Sequence, residues 1–183
     1  MSSKHKIFIS YHHANDEADK IEFEELYCDV LDSCISKSVK DGDIDDKLSH
    51  EEIRKSIRDN YLKKSTVTVV FIGKDTWKRK HVDWEIYSSL YDGSINKRSG
   101  LIGVLLPSYP DLKDNEYYPY NIPPRLYDNI ESGFAEIYSW DDFVLNSETY
   151  INDAFDRKND YKYKTDLSRE RFLKNRTGIR WYS

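Results

Sequence analysis

Basic character, cysteine and long apolar runs are all scarce in this chain, and each shortage removes a class of function. Its 183 residues carry 28 Lys and Arg against 33 Asp and Glu, a net charge of −5. Such a chain has no positive field to draw a nucleic-acid backbone by counterion release, so no nucleic-acid partner is expected. Cys28 and Cys34 are the only cysteines. They stand six apart in a segment that reads as one helix, which puts their side chains on opposite faces and predicts free thiols in a reducing compartment. No run approaches the roughly 18 apolar residues of a membrane span, and the first residues, Met-Ser-Ser-Lys-His-Lys, lead into an apolar stretch too short for a signal peptide. Cytoplasmic residence without a membrane partner is the expectation. Gly-x-Gly-x-x-Gly and Walker patterns are absent as well, which counts against a dinucleotide-fold oxidoreductase and a nucleotide triphosphatase.

What remains is enough for one compact core. Hydrophobic residues make up 38% and charged ones 33%, and 15 Tyr and 4 Trp add bulk to the interior. Strands are predicted over residues 6–11, 65–72, 100–106 and 134–140, the second of them β-branched almost throughout and stopped by Gly73. A helix over 17–34 takes Ile21, Leu26, Val30, Leu31 and Cys34 as its apolar stripe. A second helix starts at the capping-box pair Ser49 and Glu52 and runs to Asn60, a third covers 82–91, and Asp141-Asp142 offers another start. Residues 36–47 read as an exposed loop holding a weak edge strand. Residues 107–129, which include every proline, read as a long irregular excursion. One domain spans residues 1–160, with residues 161–183 as a polar tail or surface helix packed on it, the helix centred on 166–173. Alternating strands and helices imply an α/β fold with a mainly parallel sheet, whose ligand loops lie at the carboxyl ends of the strands.

Those loops hold the candidate site. At roughly 100° per residue, Val82, Glu85, Ile86 and Ser89 share one helix side, which sets Glu85 at the margin of the apolar stripe. A carboxylate beside the core is costly to charge unless a donor or a ligand hydroxyl compensates; pairing with a neighbouring Lys or Arg would explain it equally from spacing alone. Ser10, Tyr11 and His12 leave the first strand facing the same crevice. Trp77 and Trp84 offer faces for a planar ring of a ligand, or else core packing. His12-His13 lacks metal-ligand spacing, and no metal is expected. The run Lys78-Arg79-Lys80-His81 reads as a solvated surface turn, with contact to an acidic partner or to a ligand's pyrophosphate as the alternative.

Ile7-Phe8-Ile9-Ser10-Tyr11, Val69-Val70-Phe71-Ile72-Gly73-Lys74-Asp75-Thr76-Trp77 and Val82-Asp83-Trp84-Glu85-Ile86 together resemble the TIR-like family, in its branch from bacterial antiviral systems of the Thoeris type. The resemblance runs over residues 5–140. It implies a flavodoxin-like three-layer sandwich and, in enzymatic members, cleavage of the nicotinamide–ribose bond of NAD, with Glu85 at the position of the catalytic glutamate and Phe8 at an aromatic position of the first strand. NAD is then the substrate and no cofactor is required. Defence members make a cyclic ADP-ribose signal for a separate effector after a phage-derived trigger. Members of the family often act only when assembled, so self-association is among the expectations; yet the second strand and its following loop would fall in 36–47, where Val39 and Ile44 are nearly the only apolar residues. A non-catalytic TIR-like interaction or nucleotide-binding module is the alternative reading.

Overall fold

The computed structural model describes residues 5–28, 34–35, 39–40, 42–45, 47–93, 97–110 and 117–181. Its sheet is built from β1 (Ile7–Ser10), β2 (Cys34–Ile35), β3 (Val67–Ile72), β4 (Gly100–Leu105) and β5 (Ala135–Ser139). They lie in the order β2-β1-β3-β4-β5, all parallel. Every residue of β1, β3 and β4 is buried, as continuous apolar runs require of strands covered on both faces.

Among the described residues five helices do the covering: α1 (His13–Phe23), α2 (His50–Asn60), α3 (Lys80–Leu90), α4 (Pro124–Glu131) and α5 (Trp140–Asn159). Strand alternation sorts the core into layers. Ile7, Ile9, Val67, Val69 and Phe71 pack with Phe23 of α1 and with Phe143, Ile151 and Ala154 of α5 on one face. Val70 and Ile72 pack with Val82, Ile86 and Leu90 of α3 and Leu126 of α4 on the other. Phe8 joins Ile53 and Ile57 of α2 and Trp84 of α3 in a third cluster beside it. This is the flavodoxin-like three-layer sandwich. A Cβ on Gly100 would lie 2.4 Å from the carbonyl oxygen of Ala154, so the start of β4 can approach α5 only as glycine.

Ser49 caps α2 as the sequence predicts. Its hydroxyl accepts from Glu52 N while the Glu52 carboxylate accepts from Ser49 N. Ser49→Ala should cost about 1 kcal/mol, read as a lower urea midpoint with an unchanged slope.

Several expectations are corrected. The first helix begins at His13, not residue 17, and continues as a π-helical turn, Glu24–Cys28. Its buried face is Asp16, Lys20 and Phe23, whereas Ile21 and Leu26 are 44% and 53% exposed. The Phe23 ring, edge-on to Phe71 and tilted against Phe143, outweighs two smaller aliphatics in deciding which face turns inward; Val30 and Leu31 lie outside the described residues. Cys34 belongs to β2 and so does not share a helix with Cys28; the thiol side chains lie outside the described residues. The edge strand sits just before residue 36, pairing Cys34 with Ile7, and Val39 and Ile44 of the expected exposed loop are buried.

The stretch 107–129 contains the first residues of α4, with Pro124 in its opening turn, where a missing N–H costs nothing. Beyond α5, residues 160–181 contain no helix and pack along α3 and α4. Carbonyls at both ends of the expected 166–173 helix are engaged by side chains of α3 and α4. Arg125 takes those of Arg169 and Glu170, Asn129 that of Asp166, and Trp84 Nε1 that of Phe172.

Candidate active site

The order β2-β1-β3 reverses direction at the β1/β3 boundary, the crevice where open α/β sheets bind ligands. Ser10, the last residue of β1, points with Phe8 toward the side holding α2 and α3. Its hydroxyl donates to Glu85 Oε2 at 2.5 Å. Val39, in the segment after β2, donates its backbone N–H to Glu85 Oε1 at 2.8 Å. Each carboxylate oxygen is thus held by one donor from a different strand end. The side chain lies deeper than the margin of the helix stripe, because α3 is buried almost all round and Glu85 is 1% exposed. Burial pushes its pKa up to about 8, against the pull of the two donated hydrogen bonds.

A cleft of about 500 Å³ is lined by chain neighbours of this group, with Ser10, Val39 and Glu85 themselves behind its wall. Tyr11, His12, His13 and Ala14 line it as the chain passes from β1 into α1, with Glu17 one turn further on. Lys40 lines it next to Val39, and Arg79, His81 and Val82 line it at the start of α3. The chain neighbours of both Glu85 donors, and the residue one helical turn before Glu85, therefore form its wall. Tyr11 donates to Glu17 at 2.7 Å, and His13 Nε2 donates to the Val39 carbonyl at 3.0 Å, fixing the segment that caps Glu85. Burial lowers the pKa of His13.

The loop after β3 is tied by a short relay. Gly73 N donates to Thr76 Oγ1 at 2.8 Å, and that hydroxyl donates to Asp16 Oδ2 at 2.9 Å. Burial raises Asp16 to about 6. A Cβ on Gly73 would sit 2.3 Å from Asp16 Oδ1, so a larger residue here would have to displace the carboxylate that Thr76 holds.

Of the residues singled out from sequence, Tyr11 and His12 line the cleft, while Glu85 and Ser10 are hydrogen-bonded to each other in the interior behind its wall and do not line it. Phe8 and Trp77 do neither: both are interior side chains, Phe8 in the cluster under α2, and neither lines the cleft. Trp84 is interior too, hydrogen-bonded to the Phe172 carbonyl at 2.8 Å. Sequence reasoning missed Val39 and Lys40 as site residues, and it took Arg79 and His81, with their run, as a surface turn first and a pyrophosphate contact second. The basic run alternates instead of lying on the surface. Lys78 turns to Asp75 at 2.6 Å and Lys80 to the face of Trp84, while Arg79 and His81 turn to the cleft.

The model of the family described as Thoeris protein ThsB, TIR-like domain, matches residues 8–111. The chain belongs to this family. Comparison with curated proteins finds no match. In this Thoeris TIR-like chain the matched region carries Ser10, Val39 and Glu85 together with the whole cleft wall, and it stops before α4, β5, α5 and the packed tail. Membership places the protein in a defence-related TIR family. Among the described residues no helix is long and apolar enough to cross a membrane, and no group of His, Cys, Asp or Glu is placed to hold a metal ion.

Proposed function

We propose that this chain is an NAD-consuming enzyme of antiviral defence, cleaving the bond between nicotinamide and ribose and closing the product into a cyclic ADP-ribose signal that a separate effector reads. The observation that carries the reading is the buried Glu85 carboxyl with Ser10 Oγ and Val39 N on its two oxygens behind the wall of the cleft. Ribose hydroxyls of NAD would replace these two donors, hydroxyl for hydroxyl and hydroxyl for amide.

One carboxylate suffices for this chemistry. The nicotinamide of NAD is a cationic pyridinium; when the C–N bond breaks, the bonding pair leaves with it and it departs neutral, with no proton needed. Ordinary glycosidases require a second carboxyl to protonate their leaving group. Positive charge appears on the ribose, and Glu85 stabilises it in a site with little water to screen the interaction. Capture by water yields ADP-ribose, and capture by a hydroxyl or ring nitrogen of the same molecule yields a cyclic product.

A second reading has its own observation. With both oxygens satisfied internally, Glu85 is also what a purely structural carboxyl looks like, and the protein would then be an interaction module of the same family. Incubating purified protein with NAD, and extracting nucleotides from phage-challenged cells that express it, separates the two. Loss of NAD with a new cyclic nucleotide is expected; an intact NAD pool in both settings sinks the enzymatic reading.

The pH dependence provides a sharper test. Glu85 must be ionised to stabilise a cation, so kcat/KM should climb with pH on a limb near 8, the value of the free enzyme. The cationic nicotinamide ring favours the carboxylate in the complex, so the corresponding limb of kcat should lie at lower pH. Flat profiles between pH 5 and 9 would assign the chemistry elsewhere.

A further inference from the structure

The cleft is cationic although the protein is acidic. Against a chain net charge of −5, its wall carries Arg79 and Lys40 with Glu17 as the one acid. Glu17 is already engaged, by the Tyr11 hydroxyl at 2.7 Å. Arg79 Nε is buried and meets no acceptor among the described residues. A guanidinium N–H withdrawn from water with nothing to donate to is costly in the empty protein and is relieved by an incoming oxygen. Lys40 is exposed at the opposite element, close enough for its charge to depress His13. Arg79 is also the N-cap residue of the 11-residue α3, so the positive end of that helix faces the same space.

We propose that Arg79 and Lys40 form a diphosphate subsite, the part of the cleft that holds the two phosphates of a dinucleotide whose ribose reaches Glu85. This inference rests on the reading of the protein as an NAD-consuming enzyme and adds what selects that substrate. The spacing agrees, since Glu85 stands six positions after Arg79, about 9 Å of helical rise, and one ribose lies between the diphosphate and the anomeric carbon. The chemistry agrees as well. A planar guanidinium can donate two parallel hydrogen bonds to one phosphate, and a lysine supplies a mobile point charge for the other. Val39 and Lys40 are adjacent, so the residue that contacts the diphosphate is bonded to the one whose amide holds Glu85.

Calorimetric titration of the full chain with inorganic pyrophosphate, ADP-ribose and adenosine tests this. Wild type should bind the first two, more weakly as salt is added. Arg79→Gln should weaken both by about tenfold or more, Lys40→Gln by less, and adenosine should be indifferent to either change. Arg79→Lys, which keeps charge but loses the fork, should fall between. In turnover, Arg79→Gln should raise KM for NAD while kcat is largely kept. Binding of ADP-ribose by Arg79→Gln at wild-type strength, or by wild type not at all, overturns the subsite. The two proposals fail separately: Arg79-dependent pyrophosphate binding without NAD consumption leaves the subsite standing and removes the enzymatic reading, whereas NAD consumption with an unchanged KM in Arg79→Gln does the reverse.

Discussion

Glu85→Gln is expected to lower NAD turnover by about 10²–10³-fold or more and, in the same protein, to raise resistance to unfolding above neutral pH. The first effect follows from removing the single negative charge that faces the developing ribosyl cation. Size and hydrogen bonding survive the change: the Gln carbonyl can accept from Val39 N, and its amide can donate to Ser10 Oγ.

The second effect follows from the proton balance. In the folded protein the Glu85 pKa is about 8, against 4.5 for the unperturbed group. Between those values the folded state holds a proton that the unfolded chain has released. Stability contributed by the neutral carboxyl is therefore complete below pH 4.5 and lost as pH rises through 8. Gln has no proton to lose, so its advantage should grow over this window and level off above it, at a magnitude on the order of a few kcal/mol. Urea unfolding of both proteins at pH 5 and pH 9 measures it. An earlier midpoint for the variant at pH 9 would contradict the burial account, and normal turnover would remove Glu85 from the chemistry.

The parts of this protein that could be read from sequence are those written in side-chain pattern. β3 is nearly all β-branched, and it forms a central strand. Ser49 and Glu52 stand at capping distance, and they cap. Glu85 falls on the inner side of its helix by spacing, and the likeness of the flanking residues to a TIR-like family gave that position a chemical meaning. What could not be read is written elsewhere. The second donor to Glu85 is the amide of Val39, and an amide is the same at every non-proline residue. Arg79 and His81 enter the cleft because α3 starts at Lys80 and the preceding turn is pinned from behind, Arg176 N donating to the Lys78 carbonyl at 2.8 Å and Lys80 N to Asn175 Oδ1 at 3.0 Å. A run of four basic residues carries no mark of a tail almost 100 residues away. The helix expected within that tail fails for the same reason, since the groups that compete for its carbonyls lie in α3 and α4.

The largest stability loss is expected at Arg125. Its side chain is fully buried, pairing with Asp83 through Nε at 2.8 Å and Nη2 at 3.3 Å, over the ring of Tyr87. Nη1 and Nη2 also donate to the Arg169 and Glu170 carbonyls, and Asp83 Oδ2 accepts from Phe172 N at 2.9 Å. This ion pair is thus the rivet joining α3, α4 and the tail. Arg125→Ala would leave the Asp83 carboxylate buried without its cation and two tail carbonyls without donors, a cost of about 3–5 kcal/mol in a domain whose whole stability is of order 5–15 kcal/mol. The double change Asp83→Leu, Arg125→Met should cost less than the sum of the single losses, because it removes the stranded charge together with its partner. It should not recover wild-type stability, since the Phe172 amide and the tail carbonyls stay unsatisfied. Denaturant midpoints of the four proteins close the cycle, and an Arg125→Ala loss under 1 kcal/mol would show the rivet to be slack. Asp83 and Trp84 immediately precede Glu85 and are both held by Phe172. Loss of the tail contact should therefore appear in the Glu85 pH profile before it appears as global unfolding.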